Sequence, residues 1–339
     1  MTTAVLPDRT ATPAVPASTS RRWFFDAARL FAALAIVWLH TMQSPAMLPS
    51  TAVGRFAVPF FTATAVFLLW ESLAKGGRRT LSEYTRNRFV RLYVPFLAWT
   101  VIYLLFKFGK SVLTPNQPNV FPGVMLLVSG GFYHLWYLPF IFVVSVVVFV
   151  AGRKIIGNPM AEWRLCVIAT MLGTALAIAP TPASLNAAGD WLGYWWSALP
   201  SVFWSLAFAI IFRYSQSDRS MKSSYALLGL AVTAAATAWT WHVGRSLFAE
   251  NLAGLSFLIF ALGPWQGAVV RTLASFGPLA YGIYLSHLLF IKTCEAVASV
   301  PQWPESAALD IATFAIAAVG STALTWVLTR NRLTHWLVA

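Results

Sequence analysis

"SRRWFFDAARLFAALAIVWLHT" runs from Ser20 to Thr41 and sets the choice on which the rest of the chain turns. An arginine pair followed by an apolar run suits either an export signal that is removed or the first helix of a membrane-embedded protein. A cleaved signal has a bland apolar middle and a small-residue cleavage site. Here Asp26 and Arg29 interrupt the apolar run, His40 lies near its end, and "MQSPAMLPS" follows without a clear Ala-x-Ala. The segment is therefore expected to remain in place as a helix, with Arg21 and Arg22 as its anchor.

Composition extends that reading to the whole chain. Of its 339 residues 58% are hydrophobic and only 10% charged, with 16 Trp and 25 Phe, whereas soluble domains average about 25% charged. Apolar runs long enough to cross a bilayer recur from end to end. They are continuous rather than alternating, which points to helices rather than a barrel. The sequence predicts an all-α, polytopic membrane helix bundle of about ten spans: Trp23–Thr41, Val53–Leu73, Phe89–Phe108, His134–Ala151, Trp163–Ala179, Trp191–Phe212, Tyr225–Trp241, Leu247–Trp265, Leu273–Ile291 and Ala307–Leu328. Residues 1–19, rich in Thr, Ala and Pro, read as a disordered tail, and residues 20–339 as one transmembrane domain.

The net charge of +13 fits the excess of Lys and Arg on cytoplasmic loops. It implies no nucleic-acid partner, because no basic soluble segment is large enough to form a module. With ten spans and a cytoplasmic N-terminus, the inner segments hold the arginines of the 21–22, 78–91, 153–164, 213–219 and 330–332 regions, and the outer ones only Arg55, Lys107, Lys110, Arg245 and Lys292. Both termini are then cytoplasmic. The eighth span is the least regular, with Glu250 near its start. Cys166 and Cys294 fall near opposite faces and offer no disulfide framework.

Ionisable groups inside a bilayer cost about 2.5–3.5 kcal/mol on insertion scales and need partners or a water-filled cavity. Arg29 and His40 lie eleven positions apart, three helical turns plus ~20°, so they project from one face roughly 16 Å apart along the axis. Asp26 stands at i−3 to Arg29 and can orient its guanidinium. The plain alternative is a structural Asp–Arg anchor with an interfacial histidine. In "YTRNRFVRLYVP", Arg88 and Arg91 have i, i+3 spacing with Arg86 nearby. They read either as positive-inside charges or as a seat for a phosphorylated cofactor, since guanidinium forks match phosphate geometry. His40, His134 in "GGFYHLWYLP" and His287 in "YGIYLSH" all fall in the outer half on different helices, where they can converge on a site or serve as structural hydrogen-bonding groups. No zinc-type His/Cys spacing is present, so no metal is expected.

These residues carry a likeness. "DAARLFAALAIVWLH", "RFVRLYVP", "HLWYLP" and "SFGPLAYGIYLSH", in that order from about Trp23 to Phe290, resemble acyltransferase family 3, the integral-membrane acyltransferases that modify bacterial polysaccharides and related acceptors. Where many relatives have Ser-Gly in the second span, this chain has Thr64-Ala65. The resemblance implies a multi-pass protein of the bacterial inner membrane that moves an acyl group, acetyl, succinyl or similar, from cytoplasmic acyl-CoA to a hydroxyl of a carbohydrate or cell-envelope acceptor. Acyl-CoA would be a donor substrate, with no permanently bound cofactor. On that reading His40 is the general base, Arg29 and Asp26 assist it, Arg86, Arg88 and Arg91 hold the donor's phosphates, and His134, Trp136 and His287 contact the substrate. A ten-span transporter or flippase is the rival from composition alone, although the sixth span repeats none of the Arg/His pattern of the first. A haem-binding cytochrome would need paired axial histidines.

Overall fold

A computed structural model describes residues 23–77, 79–113, 123–182, 185, 190–215, 221–299 and 302–338. The expected tail at 1–19 and the anchoring Arg21 and Arg22 lie outside the described residues, as do Arg78 and Arg219. Every described regular element is helical. Among the described residues nine helical segments are long and apolar enough to cross a membrane, and the chain is a multi-pass membrane protein.

The first helix, α1, covers Trp23–Thr41, the span expected from the sequence. A 3₁₀ turn at Leu48–Gly54 leads into α2 (Ala57–Ala74). A capping box, in which Thr80 and Glu83 satisfy each other's backbone N–H groups, starts α3 (Leu81–Arg88). This helix passes through a π turn at Phe89–Tyr93 into α4 (Val94–Leu113). A single turn, α5 (Leu126–Ser129), precedes the 3₁₀ segment Tyr133–Trp136, which opens α6 (Tyr137–Ile155). Then follow α7 (Pro159–Ile178), α8 (Asp190–Ser215), α9 (Ser223–Val243) and α10 (Leu247–Ala261). The eighth long segment, broken at Gly277–Leu279, is α11 (Ala268–Phe276) plus α12 (Ala280–Ser299), and the ninth, α13 (Ala307–Arg330), completes the bundle.

The expected eighth span, α10, is the exception in length. Its 15 residues reach about 22 Å, short of the ~30 Å hydrocarbon core. Ser246 caps its start by accepting from the Ala249 N–H at 3.3 Å, and Glu250 sits in its first turn. An ionisable side chain there keeps the end of the helix among polar partners rather than lipid.

Packing places α1 at the centre, against α2, α10, α11, α12 and α13. Its buried residues include Ala27, Ala28, Ala32, Ala33 and Ala35, and small side chains let helices approach closely in a membrane. Two glycines show how close the contacts are. A Cβ on Gly54 would fall on the Ala35 carbonyl of α1, and one on Gly254 of α10 would fall on Pro59 of α2. The first contact presses the 3₁₀ turn, and with it Arg55, against the last turns of α1. The second holds the middle of α10 against the first turn of α2. Beyond His40, Asp310 of α13 fixes the chain by accepting from Ser44 N–H at 2.9 Å, Ser44 Oγ at 2.6 Å and Gln43 N–H at 3.2 Å.

Candidate active site

Three histidines from three separate elements meet where α1 ends. His40 is on the last turn of α1, His134 in the 3₁₀ segment before α6, and His287 in α12. The His40 and His287 rings are 5.4 Å apart, centre to centre, and inclined by 21°. The His134 ring lies 5.1 Å from that of His287, nearly perpendicular at 77°. The sequence leaves two alternatives open for these residues, and the three rings lie together in space.

The backbone fixes the state of one ring. His287 Nδ1 is 2.7 Å from the Tyr284 carbonyl and 3.2 Å from that of Ile283. Carbonyl oxygens only accept, so Nδ1 carries the proton and Nε2 the lone pair. That Nε2 is buried without a hydrogen-bond partner among the described residues, and so are both ring nitrogens of His134. Buried polar atoms left unpaired are costly and point to a functional reason. His40 Nδ1 lies 3.3 Å from the Tyr133 hydroxyl. The Tyr284 hydroxyl donates to the His134 carbonyl, and the Tyr103 hydroxyl to the Leu285 carbonyl at 2.7 Å, tying α4, α12 and the 3₁₀ segment together behind the rings.

A cavity of about 140 Å³ opens beside them, with His40, Tyr133, His134, Trp136, Tyr194 and Glu250 among its walls. Trp136 stacks on Tyr194, with ring centres 5.4 Å apart at 15°, and presents an aromatic platform. Arg55 and Arg245 also line this space. Their positions bracket Glu250, whose Oε1 lies 3.6 Å from Arg55 Nη1 and 3.7 Å from Arg245 Nε.

The other residues singled out in the sequence lie elsewhere. Asp26 and Arg29 form the expected ion pair at 3.8 Å, but near the start of α1, and Arg29 is not among the walls of the cavity beside His40. Between them α1 buries Leu30, Ile36 and Val37, so helix packing separates the two ends. Arg88 donates through Nε to the Tyr84 hydroxyl at 3.0 Å, with its guanidinium over that ring. Arg86 and Arg91 are exposed. The common face expected for Arg88 and Arg91 assumed 3.6 residues per turn. Arg91 lies within a π turn, closed by the Val94 N–H on the Phe89 carbonyl, whose wider i→i+5 repeat departs from that spacing.

Tyr133, Tyr194, Arg55, Arg245 and Glu250 complete the cavity, and sequence reasoning gave none of them a role. Glu250 offered a signal, since a carboxylate within an apolar span calls for a cationic partner. Arg55 and Arg245 were hidden by being counted only as outer-loop charge. Among the described residues no group of three or more His, Cys, Asp or Glu side chains is arranged to hold a metal ion. Cys166 is buried, Cys294 is partly exposed, and both are free thiols.

The family model of acyltransferase family 3, described as an acyltransferase domain, matches residues 22–330, and the chain belongs to that family. It is also similar to an amino-acid racemase from Enterococcus faecalis, 25% identical over 255 residues that cover 70% of this chain and 32% of the relative. The chain thus spans about a third of the length of that relative. No solved structure matches.

Proposed function

We propose that the protein transfers an acyl group from cytoplasmic acyl-CoA to a hydroxyl of a carbohydrate or cell-envelope acceptor, in the inner membrane of a bacterium. The observation that carries this reading is the meeting of His40, His134 and His287 beside a cavity, with buried imidazole nitrogens left without partners. Membership of an acyltransferase family supplies the reaction class.

In this mechanism His40 is the general base. The mechanism takes the tautomer in which Nδ1–H donates to the Tyr133 hydroxyl oxygen, which leaves Nε2 to receive a proton. The acceptor hydroxyl oxygen bonds to the thioester carbonyl carbon as its proton passes to His40. The carbon–sulfur bond then breaks, and the CoA sulfur leaves with the proton returned by the imidazole. Imidazole can take up and return a proton in one position, and positioned proton transfer is worth about 10²–10⁴-fold. His134 and His287 contact the reacting groups, and the Trp136–Tyr194 stack supports the acceptor ring.

The donor approaches from the arginine-rich end. Arg86, Arg88 and Arg91 hold the CoA phosphates, and Arg29, aimed by Asp26, holds the donor further along α1. The thioester must then pass about 16 Å along that helix, so the packed stretch between Arg29 and His40 opens when the donor binds. Mass spectrometry of surface glycans and membrane lipids from cells with and without the gene tests the reading. Loss of one acyl mass from one acceptor is expected; identical acylation in both would contradict it.

A further inference from the structure

Arg55 and Arg245 reach the cavity from two separate segments. Arg55 follows the 3₁₀ turn pressed against α1, and Arg245 precedes the cap of α10. Among the described residues Glu250 is the carboxylate paired with each of them. Two guanidiniums therefore share one carboxylate, leaving one excess positive charge at the cavity wall. Both contacts, at 3.6 and 3.7 Å, exceed hydrogen-bond length. Glu250 Oε1 is buried and makes no hydrogen bond among the described residues. The side chains of Arg55, Glu250 and Arg245 are 23%, 10% and 60% exposed, so the cluster grades from the protein interior to the mouth. Neither guanidinium forms a forked hydrogen-bond pair with Glu250, so guanidinium donors remain for another anion.

We propose that Arg55 and Arg245 form a subsite for an anionic group, a carboxylate or a phosphate, carried by the acceptor, with Glu250 as the internal counter-ion that the ligand partly displaces. This deepens the acyltransferase reading and rests on it. The acceptor would be an acidic sugar or a phosphorylated glycan precursor, anchored by its charge while a hydroxyl lies toward His40 in the same cavity. A single carboxylate for two arginines sets the preference, because a neutral acceptor leaves the excess charge uncompensated in a low-dielectric wall.

The test uses full-length protein purified in detergent, with methyl glucuronide and glucose 1-phosphate as anionic probes and methyl glucoside as the neutral one. Ligand binding raises the unfolding midpoint, so binding is read without turnover. Wild-type protein should be stabilised more by the anionic sugars. Arg245→Gln, at the exposed end of the cluster, should abolish that difference, and Arg55→Gln should do the same. Glu250→Gln should enlarge it, a direction that a purely structural role for the cluster would not produce. In transfer assays with acetyl-CoA, Arg245→Gln should lower the ratio of anionic to neutral acceptor use about tenfold, the scale of one charge-assisted hydrogen bond. Equal stabilisation by charged and neutral sugars, or a preference that survives Arg245→Gln, overturns the proposal. If the variant impairs only succinyl-CoA use with a neutral acceptor, the anion belongs to the donor and the acceptor assignment falls. Selective anion binding without acyl transfer from any donor would instead count against the acyltransferase mechanism, and not against the subsite.

Discussion

His40 and Tyr133 meet across the end of α1, with the tyrosine hydroxyl 3.3 Å from Nδ1 and the two rings 5.4 Å apart. The contact fixes which way the imidazole turns, and it comes from the residue beside His134 rather than from a distant element. A base aimed in this way depends on its neighbour for orientation more than for charge.

Tyr133→Phe removes the hydroxyl and keeps the ring. A neutral hydrogen bond contributes about 0.5–1.5 kcal/mol net, so the transfer rate should fall between about twofold and about tenfold, with the fold intact. Steady-state kinetics on the purified variant would show this, and an unchanged rate would remove Tyr133 from the orientation of His40.

Asp310→Ala should lower stability by about 1–3 kcal/mol. It strands the Ser44 and Gln43 N–H groups that the carboxylate now satisfies. Because that turn immediately follows His40, activity should fall with stability. Thermal unfolding in detergent measures the first effect; a midpoint equal to that of wild type would show that the turn does not depend on Asp310.

Gly254→Val forces a branched side chain onto Pro59 where α10 crosses α2. Overpacking of this kind typically costs about 1–3 kcal/mol. A variant as stable as the parent would mean that the helices part more readily than their contact implies.

Arg91→Ala should raise the KM for acyl-CoA at least about threefold while kcat changes less, and the effect should shrink at high salt. An exposed guanidinium contributes modestly and is screened, whereas a phosphate partner strengthens the contact. Donor affinity indifferent to the substitution would take Arg91 out of the donor site.

Much of this architecture is legible in the sequence because lipid imposes simple rules. The bounds of α1 follow from one long, mostly apolar run that Asp26 and Arg29 interrupt only near its start, and the placing of His40, His134 and His287 at a common depth on different helices makes their meeting possible. The Asp26–Arg29 pair follows from i, i+3 spacing. Three features escape those rules. The π turn at Phe89–Tyr93 has no marker in hydropathy, so the face shared by Arg88 and Arg91 could not be judged from a 3.6-residue repeat. The start of α10 has polar partners in Arg55, ahead of α2, and in Arg245 of the turn before it, which depend on tertiary packing. The Arg55–Glu250–Arg245 group joins residues about 190 positions apart, and the close helix contact at Gly254 that brings it together is invisible along the chain.

The most direct measurement of the central claim is the rate of acyl transfer from acyl-CoA to an added acceptor by purified protein, compared with a His40→Ala variant whose unfolding midpoint matches the parent. Loss of the base should slow transfer by about 10²–10⁴-fold with donor binding retained. A folded His40→Ala protein that transfers acyl groups at the parental rate would contradict the account.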